Sequence, residues 1–146
     1  MQSLEALVES FRRNGFKITP QRRMIFELLC AVDNHPTAEE VYQRALSFMP
    51  DITRKTVYNT LRELIELNHL CPVLDPSKHG LRYDTTTDLH HHLVCLRCHA
   101  LLDIHHDFAG VALAQDDTAG YRIIRHQVTF YGYCPACRIN EDKQAN

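Results

Sequence analysis

The feature that most constrains this chain is a pair of Cys-x-x-Cys motifs in its second half. Cys95 and Cys98 form the first motif and Cys134 and Cys137 the second, with the 35 residues 99–133 between them. A Cys-x-x-Cys turn places both sulfurs on one side of the chain, and four thiolates are the ligands of a closed, tetrahedral zinc site. The sequence therefore predicts a domain stabilised by structural zinc. Redox-active cysteine pairs or buried unpaired cysteines are the alternatives.

The length and composition are compatible with a small domain of this kind. A chain of 146 residues has room for one ordinary domain or two small ones, and 45% hydrophobic with 23% charged residues is typical of globular proteins. No apolar run approaches the roughly 18 residues of a membrane span. The N terminus lacks the pattern of a signal peptide. We expect a cytoplasmic protein, whose reducing surroundings favour metal binding over disulfides.

The first half of the chain predicts four helices, because apolar residues recur there three or four positions apart. Thr19, Thr37 and Thr53 are positioned to cap the second, third and fourth helices. Breaks are predicted at 14–15 and 33–34. The apolar positions expected to share one face and pack in the core are Leu4, Leu7, Val8 and Phe11; Ile25, Leu28, Leu29 and Val32; Val41, Ala45 and Phe48; and Val57, Leu61, Leu64 and Ile65.

Two short runs of β-forming residues, 70–74 and 81–85, follow the helices. The residues between them, DPSKHG, favour a turn, so a hairpin is predicted. Helices followed by a hairpin are the element order of a winged helix-turn-helix domain. We therefore assign residues 1–84 to a winged-helix DNA-binding domain, whose fourth helix would enter the major groove.

Basic side chains cluster in the same half, although the net charge of the chain is −2. Segments 11–23 and 52–62 are rich in arginine and lysine and contain no acidic residue. A DNA-binding protein needs such a local basic face to replace phosphate counterions. The alternative to DNA binding is that these segments are solvated helix faces and that Tyr58 is a packing residue. The candidate DNA contacts are Lys17, Arg22, Arg54, Lys55, Thr56, Tyr58, Asn59 and Arg62.

The composition changes after residue 84. Six of the ten histidines lie between residues 84 and 106. Segments 92–95 and 100–104 predict strands, 107–115 a helix, and 121–131 a longer strand rich in β-formers. We expect residues 85–146 to form a small α/β domain, which makes the fold class of the whole chain α+β.

A second ligand set centres on His90 and His92. Residues two apart in an extended segment point the same way, so both imidazoles can bind one ion. Asp84, Asp103 and His35 complete a mixed nitrogen and oxygen set, which suits Fe(II), Mn(II) or Zn(II). An ion bound by all five would fix the relative orientation of the two predicted domains. Surface histidines that bind no metal are the alternative.

These motifs resemble the ferric uptake regulator family. The matching segments are ITPQR (18–22), HPTAEEVY (35–42), TVYNTLREL (56–64), RYD (82–84), HHHLVCLRC (90–98) and YGYCPAC (131–137). The resemblance implies a homodimeric repressor that binds AT-rich palindromic operators when metallated, with residues 85–146 as the dimerisation domain. It implies structural zinc on the four cysteines of the two motifs. It implies regulatory Fe(II) or Mn(II) on His35, Asp84, His90, His92 and Asp103.

Aspartate at positions 84 and 103 resembles the peroxide-sensing branch of that family. Iron-uptake members usually carry glutamate at both positions, and zinc-uptake members usually place a cysteine in the sensing site. In the peroxide-sensing branch a ligand imidazole is oxidised and repression is lifted. The resemblance implies that His35 and His90 are the candidates for oxidation.

Other functions remain open at this point. An iron-responsive regulator without peroxide sensing is the nearest alternative. A further metal site known in iron-uptake members is incomplete, since Leu89 and His91 replace two expected ligands and His126 matches one. A small metalloenzyme and a plain zinc-binding interaction module belong to other classes. The chain has no HExxH motif and no Gly-rich cofactor loop, so we expect no enzymatic activity.

Overall fold

The computed structural model describes residues 3–31, 35–75, 80–106, 108, 110–111, 113–124 and 126–142. The chain divides into two compact units, Met1–Thr87 and Asp88–Asn146. Among the described residues, no helix combines the length and the apolar character required to cross a membrane.

The first unit consists of four helices followed by an antiparallel hairpin, as the winged-helix prediction requires. The helices are α1 (Leu4–Arg13), α2 (Pro20–Cys30), α3 (Ala38–Phe48) and α4 (Arg54–Glu66), and the strands are β1 (Cys71–Asp75) and β2 (Gly80–Asp84). Cys71 pairs with Asp84 and Asp75 with Gly80 at the two ends of the hairpin. The predicted break at 33–34 and the centre of the predicted turn lie outside the described residues.

The helix starts are set by local sequence, as predicted. The hydroxyl groups of Thr19, Thr37 and Thr53 each accept a hydrogen bond from the backbone N–H three residues later. Glu40 completes a capping box by accepting from the N–H of Thr37 at 2.7 Å. These contacts satisfy N–H groups that the first turn of a helix leaves open.

An apolar core holds the helices of the first unit together. Phe11 and Phe26 are fully buried there, and their rings meet edge to face with centroids 4.8 Å apart. The prediction that Phe48 faces the core is wrong, because its side chain is 64% exposed. Phe48 is the last residue of α3, and Leu46 and Met49 pack against the core at that end of the helix instead.

The second unit contains a three-stranded sheet. Its strands are β3 (His91–Cys95), β4 (Leu101–Ile104) and β5 (Thr129–Gly132), followed by helix α5 (Pro135–Asp142). The central strand β3 is antiparallel to β4 and parallel to β5. Together with the first unit, this sheet confirms the α+β class.

The helix predicted over 107–115 is wrong in the part that the structure describes. None of the described residues between 108 and 114 is helical, and only a short 3₁₀ turn, Gln115–Thr118, follows. Val111 and Leu113 are exposed, so a helix here would have no apolar face to bury. An isolated short helix is not stable in water without such packing.

The long strand predicted over 121–131 is also shorter than expected. The described residues from 121 to 128 form no strand, and β5 begins at Thr129. The central strand β3 has five residues and pairs with β5 from His92 to Cys95 only. The β-forming side chains of Tyr121, Ile123 and Ile124 therefore stay exposed in the single chain.

Candidate metal sites and nucleic-acid interface

The sheet of the second unit brings the two cysteine motifs together. Cys95 ends β3 and pairs with Gly132 on β5, and the N–H of Leu96 donates to the Gly132 carbonyl at 2.8 Å. Two residues further along, the N–H of Cys134 donates to the Cys95 Sγ at 3.3 Å. The register of two neighbouring strands thus closes the gap of 35 residues that separates the motifs in the sequence.

The geometry of the four sulfurs fits a tetrahedral metal ion. All four Sγ atoms lie within 4.8 Å of one another, and those of Cys98 and Cys134 are 3.7 Å apart. Sulfurs bound at the usual zinc–sulfur length would be separated by about 3.8 Å. None of the six cysteines of the chain, all of which are described, takes part in a disulfide. The cluster therefore has the ligands and the spacing of a closed zinc site.

Two of these thiols have pKa values that the polypeptide shifts in opposite directions. The backbone N–H groups of Cys98 and Cys134 lower the pKa of Cys95 to about 5. Burial, with hydrogen bonding to the neighbouring thiols, raises the pKa of Cys137 to about 12. A coordinated divalent cation deprotonates a thiol outright, so an ion in the cluster would ionise the thiols that the polypeptide alone leaves protonated.

In the first unit, two of the predicted regulatory ligands lie side by side. The Nε2 atom of His35 is 3.4 Å from Oδ1 of Asp84, and both side chains are buried. Asp84 is the last residue of β2, and its Oδ1 also accepts from the N–H of Thr86 at 2.7 Å. An imidazole nitrogen and a carboxylate oxygen thus converge within this unit.

The second unit brings the other three predicted ligands together. The Nε2 atoms of His90 and His92 are 3.0 Å apart, and Oδ1 of Asp103 lies 3.7 Å and 3.6 Å from them. The pairing of β3 with β4 sets His92 opposite Asp103. The Nδ1 of His90 lies 2.8 Å from the carbonyl of Asp88. A proton held at Nδ1 by that carbonyl leaves Nε2 available as a ligand.

His91 has different surroundings from its two neighbours. Its Nδ1 accepts a hydrogen bond from the N–H of Val128 at 3.1 Å. Its ring centroid lies 4.9 Å from that of Phe108 and 6.1 Å from that of His126. These contacts are packing and backbone contacts.

The predicted recognition helix, α4, begins with Arg54, which forms an ion pair with an acidic side chain. Arg54 donates from Nε and Nη2 to the two carboxylate oxygens of Glu39 at 3.0 Å and 2.9 Å. Its guanidinium also lies 4.4 Å from the ring centroid of Tyr42. The pair is largely exposed, and the hydrogen bonds from Arg54 lower the pKa of Glu39. A DNA phosphate would compete with Glu39 for this arginine.

Arg22, another candidate DNA contact, makes its hydrogen bonds within the first unit. It donates from Nη2 to both carboxylate oxygens of Glu63 at 2.7 Å and 2.6 Å, and from Nη1 to the Lys17 carbonyl at 2.6 Å. Its guanidinium lies over the rings of Phe11 and Phe16. These contacts join α2 to α4 and restrain the orientation of the predicted recognition helix.

The remaining DNA-contact candidates lie on α4, except for Lys17, which precedes α2. Lys55, Tyr58 and Arg62 are exposed, and so is Lys17. A polar cleft between the start of α2 and α4 is lined by Thr19, Gln21, Arg22, Thr56, Asn59 and Thr60. Sequence reasoning missed Glu39, Glu63 and Gln21, since such partners depend on which helices meet in the folded unit.

Comparison with known proteins gives a family match. The model of the ferric uptake regulator family matches residues 13–131. A curated relative, the peroxide-responsive repressor PerR of Staphylococcus saprophyticus, is 32% identical over 136 residues, which are 92% of this chain and 91% of the relative. The PerR of Staphylococcus aureus is 32% identical over 137 residues, with 92% and 91% coverage.

Solved structures agree in fold. The PerR structure from Streptococcus pyogenes has a TM-score of 0.55 at 26% identity and covers 94% of each chain. The ferric uptake regulator of Helicobacter pylori has a TM-score of 0.76 at 21% identity, covering 94% of this chain and 95% of that one. The family's members are metal-binding transcriptional regulators rather than enzymes. With more than half of its length matched by the family model, this chain belongs to the ferric uptake regulator family.

Proposed function

We propose that this chain is a metal-dependent repressor that binds operator DNA as a homodimer and senses peroxide through a regulatory metal site. The observation that carries the proposal is that histidine and carboxylate groups converge in each unit: two groups in the first unit and three in the second. Family membership supports the repressor function, and the PerR relatives support peroxide as the signal.

Structural zinc is assigned to the four cysteines of the second unit. Cys95, Cys98, Cys134 and Cys137 offer four sulfurs at tetrahedral spacing. Such a site has no open position for a substrate, so its role is to hold β3, β5 and the start of α5 together. It provides a rigid base on which residues 85–146 act as the dimerisation domain.

The regulatory ion, Fe(II) or Mn(II), is assigned to ligands from both units. His35 and Asp84 belong to the first unit, and His90, His92 and Asp103 to the second. Nitrogen and oxygen donors without sulfur suit these two metals. Ligands on both units make the bound ion favour one arrangement of the units over others. If operator DNA favours the same arrangement, metal and DNA binding are coupled.

Operator recognition is assigned to residues 1–84. Exposed Lys17, Lys55 and Arg62 can neutralise phosphates, while Thr56 and Asn59 line a polar cleft between two helices. Arg54, Tyr58 and Arg22 complete the predicted face, the last through its hold on the recognition helix. AT-rich palindromic operators follow from the family likeness and a two-fold dimer, and operator binding implies a cytoplasmic location.

A second copy of the chain is the proposed occupant of the apolar surface of the second unit. Tyr121, Ile123 and Ile124 are exposed in a single chain, the last by 91%. A soluble monomer rarely leaves contiguous large apolar side chains exposed. Pairing with a second copy would cover them and provide the two-fold symmetry that a palindrome needs.

Peroxide sensing is assigned to the imidazoles of His35 and His90. Fe(II) bound there would supply the redox chemistry that activates peroxide and would end in its starting oxidation state. One oxygen atom of the peroxide would be inserted into a ring C–H bond, and the other would leave as water. An oxidised ring is a poorer ligand, so the regulatory site loses affinity for its ion and repression ends.

The repressor function is tested by selecting DNA from sheared host genomic fragments with zinc-replete protein, with and without added Mn(II). We expect enrichment of a palindromic sequence that depends on Mn(II). His92→Ala should abolish the dependence, whereas a substitution at His99, outside both ligand sets, should not. Equal enrichment with and without Mn(II) would contradict the proposal.

Peroxide sensing needs a separate measurement. Mass spectrometry of iron-loaded protein after mild peroxide treatment should show one added oxygen on His35 or His90, together with loss of DNA binding. Mn(II)-loaded protein is the matched control and should stay unmodified. If neither residue gains oxygen and DNA binding survives, the chain is an iron-responsive regulator without peroxide sensing.

A further inference from the structure

A buried ion pair in the first unit also contacts a predicted metal ligand. Arg82 on β2 donates from Nε to Oδ2 of Asp75 on β1 at 2.9 Å. The two side chains are only 8% and 0% exposed. Burying two charges carries a desolvation cost that their attraction barely repays, so such a pair is weak evidence for stability alone. The pair's other contacts therefore indicate its role.

The second contact is to the backbone of His35. The Nη1 of Arg82 donates to the His35 carbonyl at 3.1 Å. Beside it, the N–H of Tyr83 donates to the Pro36 carbonyl at 2.9 Å, and Thr37 forms an isolated β-bridge with Arg82. Strand β2 thus holds the segment from His35 to Thr37 through backbone pairing and through the guanidinium, which lies at its first carbonyl.

The backbone of His35 needs such support. Its φ of 45° lies in the left-handed region, which side chains with a Cβ rarely adopt. It also precedes Pro36, and a following proline pushes a residue toward extended conformations. A conformation of this kind persists where surrounding contacts determine it. Without the guanidinium at its carbonyl, His35 would gain freedom to leave this conformation.

The same strand also provides the partner of the His35 side chain. Asp84 lies two residues after Arg82 on β2, and its Oδ1 is 3.4 Å from Nε2 of His35. We propose that Arg82, oriented by Asp75, is a positioning residue of the regulatory metal site: it fixes the backbone of His35 so that the imidazole lies beside Asp84. The inference rests on the proposed function in taking His35 and Asp84 as ligands.

The test is the affinity of zinc-replete, full-length protein for Mn(II), measured by calorimetric titration. Arg82→Met and Asp75→Asn should each weaken Mn(II) binding by about 10- to 100-fold, as loss of groups that orient metal ligands does. The matched control is Glu63→Gln, which breaks another arginine–carboxylate pair of the same unit, one with side chains 18% and 12% exposed. It should leave the Mn(II) affinity unchanged.

A double-mutant cycle separates positioning from general loosening of the unit. If Arg82 acts through His35, Arg82→Met causes no further loss of Mn(II) affinity in a His35→Ala background. If Arg82→Met lowers the Mn(II) affinity equally in the wild-type and His35→Ala backgrounds, the positioning role is overturned. Unchanged Mn(II) affinity in both Arg82→Met and Asp75→Asn would also overturn it. If His35→Ala itself binds Mn(II) as tightly as the wild type, the ligand assignment in the proposed function is wrong, and the positioning role fails with it.

Discussion

The two units of this chain are stabilised in different ways. The first has a core of large apolar side chains from all four helices, including Phe11, Phe26 and Leu61. Among the described residues of the second unit, the buried apolar side chains are Val94, Cys95 and Cys137. Two of those three belong to the four-cysteine cluster. The first unit therefore depends on hydrophobic packing. The second has little buried apolar surface, and zinc on its cysteines and a second copy of the chain are its proposed sources of stability.

This difference assigns different tasks to the two kinds of metal ligand. The proposed zinc ligands all lie in the second unit, so an ion bound by them would hold that unit together and would be structural. The proposed histidine and aspartate ligands are divided between the units, with His35 and Asp84 in the first and His90, His92 and Asp103 in the second. An ion bound by these groups would not be the main source of stability of either unit, so it could bind and leave as the proposed sensing function requires.

The largest effect that this comparison predicts is on removal of zinc. Cys134→Ser should release zinc and unfold the second unit, while the first unit stays folded, because binding contributes on the order of 10 kcal/mol to folding in small zinc domains. Hydrogen exchange, read separately for residues in β3 and in α2, measures both units in the same protein. Cys71→Ser, outside the cluster, should retain zinc and protection in both units. Persistent protection of β3 without zinc would refute a structural role for the cluster.

The core of the first unit should show the second largest effect. Phe26→Ala should lower the free energy of unfolding by about 3–5 kcal/mol, since it removes a fully buried ring that packs against Phe11. Phe48→Ala removes the same side chain at a position that is 64% exposed, and should change the free energy by no more than about 0.5 kcal/mol. Urea unfolding of both variants measures the difference. Similar losses in both would show that the end of α3 packs its phenylalanine against the core in solution.

The sequence predicted features that depend on near neighbours. Thr37 and Glu40, three residues apart, specified the start of α3, and each cysteine motif specified its own turn. Features that depend on tertiary position were missed. Arg22 and Glu63 are 41 residues apart, and no spacing rule links them.

The same limit explains the two wrong elements of the second unit. Segment 121–131 has the composition of a long strand, but a strand also needs a partner, and β3 has only five residues to offer. Segment 107–115 contains apolar residues, but Val111 and Leu113 find no surface to cover within one chain. Both predictions failed where the outcome depended on partners that local sequence does not specify.

The smallest predicted effect concerns protons in the first unit. Burial, and secondarily the charge of Arg13, lowers the pKa of His69 below its ordinary value of about 6.5. The folded state therefore takes up a proton at this imidazole less readily than the unfolded chain. The stability associated with neutral His69 is complete above about pH 6.5, and it is lost as the pH falls through the lower pKa of the folded state.

His69→Gln removes this titration and can still form a hydrogen bond to Ser10, which contacts the imidazole Nε2. Urea unfolding of the first unit at about pH 7.5 and about pH 5.5, on either side of the ordinary histidine pKa, should show a smaller loss of stability on acidification in the variant than in the wild type. All other groups are the same in both proteins, so their contributions cancel in the difference. Equal losses would mean that His69 binds protons alike in the folded and unfolded states. The acid sensitivity of the first unit would then come from groups other than His69, and the packing around His69 would contribute less to the pH dependence of stability than its burial indicates.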